Sequence, residues 1–336
     1  MHALKDMPIA FPGLFPDWSF NPDVVAIHIG NGIYWYGIIL ACAMLAGLWL
    51  ALRQSKYFGI KEDHVMDIVL WAIPSCILGS RIYYILFYLD LYRKADGSLD
   101  FAAMVRLWDG GLAIYGTVIA GVIVLFIFAK CRKLKFTALT DLGVMGLILG
   151  QCIGRWANFI NREAFGGLTD LPWRMQLWTS STKTIEVHPT FFYESVWNLV
   201  GLLILVFAIT KNRRFDGENT CFYFLWYGIG RFWIEGLRTD SLYLFDWTFL
   251  GEPIRVSQAL SLGLFAFAVL AMIWNLAVKK HTPEELYVNQ VAAAALVTEE
   301  GEATEEAAAE ETVVEESAAE AEEAAAEEEN EDGNEA

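Results

Sequence analysis

The sequence predicts an all-α membrane protein with seven transmembrane helices, the N-terminus outside and the C-terminus cytoplasmic. Three observations predict it. Seven apolar segments run approximately over 33–52, 65–89, 112–129, 136–160, 190–210, 221–237 and 256–278, each near the length of about 20 residues that takes a helix across the hydrocarbon core. Lys and Arg gather in alternate connectors. The net charge of −17, unusual beside a hydrophobic content of 55%, comes from one end of the chain.

Residues 1–32 are expected to form an external segment. They hold Pro8, Pro12, Pro16 and Pro22 and no continuous apolar run, so they read neither as a span nor as a cleavable signal peptide. The bundle follows over 33–278, with 161–189 as a second external segment. Its orientation rests on the rule that cytoplasmic connectors retain basic residues. Connectors after the first, third, fifth and seventh spans hold twelve, namely Arg53, Lys56, Lys61, Lys130, Arg132, Lys133, Lys135, Lys211, Arg213, Arg214, Lys279 and Lys280. The opposite set is longer in total, holds nine, and dilutes them with Asp90, Asp96, Asp100 and Asp109.

The last element, 279–336, reads as a cytoplasmic low-complexity tail. Of the chain's 41 Asp and Glu, 18 lie beyond residue 290 with no Lys or Arg among them, so 23 acidic residues face 24 basic ones in the rest. Ala and Glu clusters without aromatic residues bury too little surface to offset ordering entropy, which predicts disorder or transient helix. The acidic balance argues against nucleic-acid binding. Cys42, Cys76, Cys131, Cys152 and Cys221 show neither a disulfide framework nor a metal spacing, and the five histidines are scattered.

Arg81, Arg155 and Arg231 lie inside predicted spans. A guanidinium in hydrocarbon costs at least about 2.5 kcal/mol, so each should face the bundle interior and a partner. The orientation puts all three in the outer half of the membrane, as if in one positive cavity. The densest polar stretch is GRWANFINREAFGG at 154–167. On a helix its Arg155, Asn158 and Arg162 share a face, with Asn161 and Glu163 beside it. A guanidinium fork with amide donors suits a phosphate ester. In the sixth span Tyr227, Arg231, Glu235 and Arg238 form one polar stripe in which Glu235 is the natural partner of Arg231.

The same stretch matches without a gap the signature G-R-x-[GA]-N-F-x-N-x-E-x-x-G, at Gly154, Arg155, Ala157, Asn158, Phe159, Asn161, Glu163 and Gly166. In this the chain resembles the bacterial prolipoprotein diacylglyceryl transferases. The resemblance extends through IYWYG at 33–37 with Tyr36, GSRIYYILF at 79–87 with Arg81, DGGLAIYG at 109–116 with Tyr115, LPWR at 171–174, HPTFFYE at 188–194 and YGIGRFWIEGLR at 227–238. It covers about 27–275 and leaves the acidic tail outside.

What the resemblance implies is a multi-pass enzyme of the bacterial cell membrane. Such an enzyme moves the diacylglyceryl group of phosphatidylglycerol to the lipobox cysteine of preprolipoprotein signal peptides, without a cofactor or metal. Arg155 and Arg231 would clamp the phosphate, with Asn158 orienting the head group. Asn161, Glu163, Tyr36, Arg81, Tyr227, Glu235, Arg238 and His188 would complete the substrate-binding set. Several members carry a histidine, assigned as general base, where this chain has Tyr115. A tyrosine with its ordinary pKa of about 10 is a poor base near neutrality unless cations lower it. Tyr115, His188 or no dedicated base all remain open on the sequence. So does a lipid-binding or transport protein without transfer chemistry, although no internal repeat of the kind common in transporters links the two halves.

Overall fold

The computed structural model describes residues 7–298 apart from 30–31, 95–96, 108–109, 181, 240–242 and 250–251, and only the backbone of 243–249 and 252–254. Long helices dominate it: α1 (Trp35–Gln54), α2 (Glu62–Phe87), the short α3 (Phe101–Val105), α4 (Ile114–Arg132), α5 (Phe136–Asn161), α6 (Thr190–Ile204), α7 (Glu218–Leu237) and α8 (Val256–Ile273). α6 continues through a π turn and a 3-10 turn to Asn212, and α8 through a π turn to Val278. Helix is the expected outcome, because backbone groups in lipid must be paired within their own segment.

Six of these helices are long and apolar enough to cross a membrane, and their limits fall within a few residues of the segments read from the sequence. The remaining long helix, α7, has 20 residues but carries Glu218, Arg231 and Glu235. Their outer faces are apolar. Leu45 is 66% exposed, Leu70 68%, Phe207 64% and Leu270 68%, which in so many large apolar residues marks a surface solvated by lipid.

α5 is the central helix, burying Ala138, Leu139, Leu142, Met145, Ile148 and Cys152 at helical spacing. It packs on α1 and α6, while α2 pairs with α4 and α7 with α8. Without a hydrophobic drive in lipid, such pairs depend on close backbone approach. At the α2–α4 crossing a Cβ added to Gly116 would stand 2.3 Å from the Gly79 carbonyl oxygen. Asp141 of α5, fully buried, accepts from the Gly217 and Thr220 amides at 2.7 and 2.9 Å and so caps the start of α7.

The segments before α1 and between α5 and α6 contain strands that apolar patterning did not reveal. β1 (Ile9–Ala10), β2 (Ser19–Phe20), β5 (Met175–Ser180) and β6 (Lys183–Val187) form an antiparallel sheet in the order β2-β1-β5-β6. Ile9 pairs with Leu177, joining the strand near the N-terminus to the segment between α5 and α6. Ile9, Met175, Leu177, Val187 and Phe191 make a second, small core. Two hairpins, β3 (Val25–Ile27) with β4 (Ile33–Tyr34) and β7 (Tyr243–Phe249) with β8 (Glu252–Arg255), flank α1 and α8.

The first compact unit runs to Tyr287, and the second begins at Val288. Residues 279–287, placed with the tail on sequence grounds, belong to the first. Lys135 reaches the Glu285 carbonyl at 3.1 Å, and the Tyr287 amide donates to Asp216 at 2.8 Å. A helix, α9, spans Tyr287–Thr298. Disorder or transient helix is expected for the tail, and 291–298 are helical; residues 299–336 lie outside the described residues, as do Asp96 and Asp109.

Candidate active site

The signature occupies the end of α5, and the helix stops where the polar run begins. Asn161 is its last residue, and Arg162 takes a left-handed conformation, φ 54°. That turn removes Arg162 from the face shared by Arg155 and Asn158. Its guanidinium instead bonds the Met7, Ile160 and Pro22 carbonyls at 2.6, 2.8 and 2.9 Å and Asn21 Oδ1 at 2.9 Å, holding the N-terminal segment. Asn158 and Asn161 both donate to Glu163 Oε1, at 2.9 and 3.3 Å, so the turn after the helix is ordered by its own amides.

Arg155 projects from α5 toward α6, where Nη2 pairs with Glu194 Oε1 and Nη1 faces Asn158 Oδ1 at 3.4 Å. From α7, Arg231 approaches the other oxygen of the same carboxylate, Nη1 to Oε2 at 3.7 Å, and pairs with Glu235 at 2.6 Å. Its Nη2 also reaches Ser257 Oγ at 3.4 Å. Glu194 and Glu235 are buried. The four groups run arginine, carboxylate, arginine, carboxylate across three helices, close to neutral as a set. Neutrality is what permits them in a low-dielectric interior. One donor is left over: buried Arg231 Nη1 has no hydrogen-bond partner among the described residues.

Tyr227, one turn before Arg231, lies within electrostatic reach of Arg231, Glu194, Arg155 and Tyr115. Tyr36, near the start of α1, is similarly placed toward Glu163 and Arg155. Tyr115 stands at the first turn of α4 with its ring 6.0 Å from that of Tyr83. Tyr36 and Tyr227 thus lie near Arg155, and Tyr115 near Tyr227.

Arg81 does not join them. Its guanidinium donates to the carbonyls of Met104, Ala103, Arg106, Gly110 and Gly111, and a guanidinium has five N–H groups in all. It is saturated by the 101–111 connector, so the single cavity holding all three intramembrane arginines is not what forms. His188 is likewise engaged. Its backbone exchanges hydrogen bonds with Gly166 and Gly167, at 3.0 Å each, and Nδ1 faces the Tyr193 hydroxyl at 3.3 Å. Arg238 lies just past the end of α7 rather than on its stripe, with its backbone bridged to Gly166.

Residues 24–274 match the family described as prolipoprotein diacylglyceryl transferase. The chain belongs to that family. A phosphatidylglycerol–prolipoprotein diacylglyceryl transferase of Finegoldia magna is 40% identical over 75% of this chain and 95% of the relative. Proteins of the same description from Clostridioides difficile and Lactiplantibacillus plantarum are 40% and 37% identical, over 69% and 84% of this chain and 87% and 97% of theirs.

For this diacylglyceryl transferase family member, the sequence reading missed Glu194 as a site residue, although HPTFFYE contains it. The signal was available: it is an acidic residue inside an otherwise apolar span, where ionised groups are expensive and mark function. It was obscured because its partners, Arg155 and Arg231, lie on two other helices.

Proposed function

We propose that this protein transfers the diacylglyceryl group of phosphatidylglycerol to the lipobox cysteine of preprolipoproteins, the first step of bacterial lipoprotein maturation. The names of its relatives give the donor and acceptor class. The observation that carries the reading at the site is the convergence of Arg155 and Arg231 on Glu194, with a buried Arg231 donor left open. In the reaction, the cysteine sulfur forms a bond to the sp3 carbon of the glyceryl group as the carbon–oxygen bond to phosphate breaks. The phosphate ester leaves with the electron pair as glycerol phosphate, and the thiol proton passes to solvent or a nearby acceptor. Arg155 and Arg231 hold the phosphate and take up its growing charge, an effect enhanced where water is scarce. Asn158 orients the head group, and Glu235 balances Arg231. Incubating the purified protein with phosphatidylglycerol and a lipobox peptide should give a diacylglyceryl adduct by mass analysis; its absence with folded protein would defeat the proposal.

Tyr115 is read as an orienting hydroxyl rather than the base, since cations beside the incoming thiol favour its thiolate. Tyr115→Phe should then lower the rate about 10-fold, the scale of one hydrogen bond. The rate of the variant should keep rising with pH toward the thiol's pKa of about 8.5. Complete inactivity between about pH 6 and 9, in a variant that still binds phosphatidylglycerol, would make Tyr115 the base.

The seven-span arrangement in the cell membrane, with α7 crossing as well, an external N-terminus and a cytoplasmic tail, rests on the twelve-to-nine basic count. α7 can cross because Glu235 accompanies Arg231 at 2.6 Å. Cysteines placed in 90–110 and 162–187 should react with an impermeant reagent applied from outside, and those in 53–63 and 130–135 should not. The reverse pattern would put the site on the wrong side.

A further inference from the structure

α6 and α7 contain the same spacing, tryptophan followed four residues later by glycine, in WNLVG at 197–201 and WYGIG at 226–230. The two copies grip each other. Trp197 Nε1 donates to the Trp226 carbonyl at 3.0 Å, and Trp226 Nε1 donates to the Trp197 carbonyl at 2.9 Å. The rings stack with centroids 4.4 Å apart and 19° between their planes. Each indole lies against the glycine of the other motif: a Cβ on Gly201 would stand 2.4 Å from Trp226 Nε1, and one on Gly230 2.2 Å from Trp197 Nε1. The contact is a near two-fold exchange in which any side chain at either glycine displaces an indole.

The clasp sits beside the site. Glu194 precedes Trp197 by three residues, and Arg231 directly follows Gly230. At 3.7 Å the Glu194–Arg231 contact is too long to fix the helices by itself. In lipid, interhelical hydrogen bonds and small-residue packing must set the register, and a slip of one turn would move Arg231 by about 5.4 Å. We propose that Trp197, Trp226, Gly201 and Gly230 are positioning residues for the transfer reaction, holding Glu194 against Arg231 by locking α6 to α7. This rests on the transferase reading.

The test uses the purified full chain, phosphatidylglycerol and a lipobox peptide, with kcat and KM measured beside thermal unfolding. Gly230→Ala should lower kcat about 100-fold with little change in KM, as expected for a misplacement near 1 Å. Trp226→Phe, which keeps a ring but loses the N–H, should lower it about 10-fold. In a Glu194→Gln background, where the geometry being held is already lost, either change should cost less than about threefold more. Losses that multiply in the double variants, or a Gly230→Ala protein within about twofold of wild type, would overturn the clasp as a positioning device. If Gly230→Ala does not fold, Trp226→Phe and its double variant decide the same question. A wild-type protein that forms no adduct would defeat the transfer reading instead.

Discussion

Arg155→Ala should lower transfer at least about 100-fold, the loss seen when one preorganised charge-stabilising donor is removed. Arg155 is the guanidinium whose neighbours leave it best suited to substrate. It is partly accessible, with 23% of the side chain exposed, and it faces Asn158, whose amide nitrogen is already held by Glu163. A phosphate entering beside it meets a full charge and a fork that can bind two oxygens. Removing the guanidinium also leaves Glu194 facing the phosphate with one arginine instead of two, so repulsion adds to the lost attraction. Arg155→Lys separates the two contributions: it keeps the charge and loses the fork, and should fall between alanine and wild type. Initial rates of adduct formation, with thermal unfolding as a check on folding, measure both. An alanine variant within a few-fold of wild type would refute the phosphate clamp.

The contrast between Arg155 and Arg81 shows where the sequence stops informing. Both are arginines in apolar spans. Arg155 meets carboxylate and amide side chains, whereas Arg81 is saturated by backbone carbonyls of 103–111. Nothing in a one-dimensional pattern tells which helix end will turn its carbonyls toward a cation. The spans themselves were legible because lipid demands long apolar runs, and α1, α2, α4, α5, α6 and α8 begin and end close to the expected limits. The β1–β5 pairing was not legible, since β1 has two residues and its partner lies more than 160 residues away. Arg162 was misplaced for a local reason. Helical spacing was extended one residue past the point where the backbone turns left-handed.

Glu194→Gln should have an effect as large as that of Arg155→Ala, and of a different kind. The glutamate is the common partner of two guanidiniums, which without it face each other across a poorly solvated space. Breaking a buried pair by removing one partner costs about 3–5 kcal/mol, and the partial exposure of both arginines puts the expected loss toward the lower end. The unfolding temperature should therefore drop measurably while the variant still folds. An anionic head group would then compensate the two arginines, so phosphatidylglycerol should bind at least as tightly as to wild type. Turnover should nevertheless fall about 100-fold, because the guanidiniums are no longer held in place before the phosphate departs. The signature is thus a low kcat with an unchanged or lower KM for the lipid, whereas Arg155→Ala should raise KM as kcat falls. Glu194→Asp, which restores the charge at a shorter reach, should recover stability more fully than rate. A Glu194→Gln protein with wild-type kcat would show that the carboxylate merely neutralises the arginines, and that the donor geometry is set by other contacts.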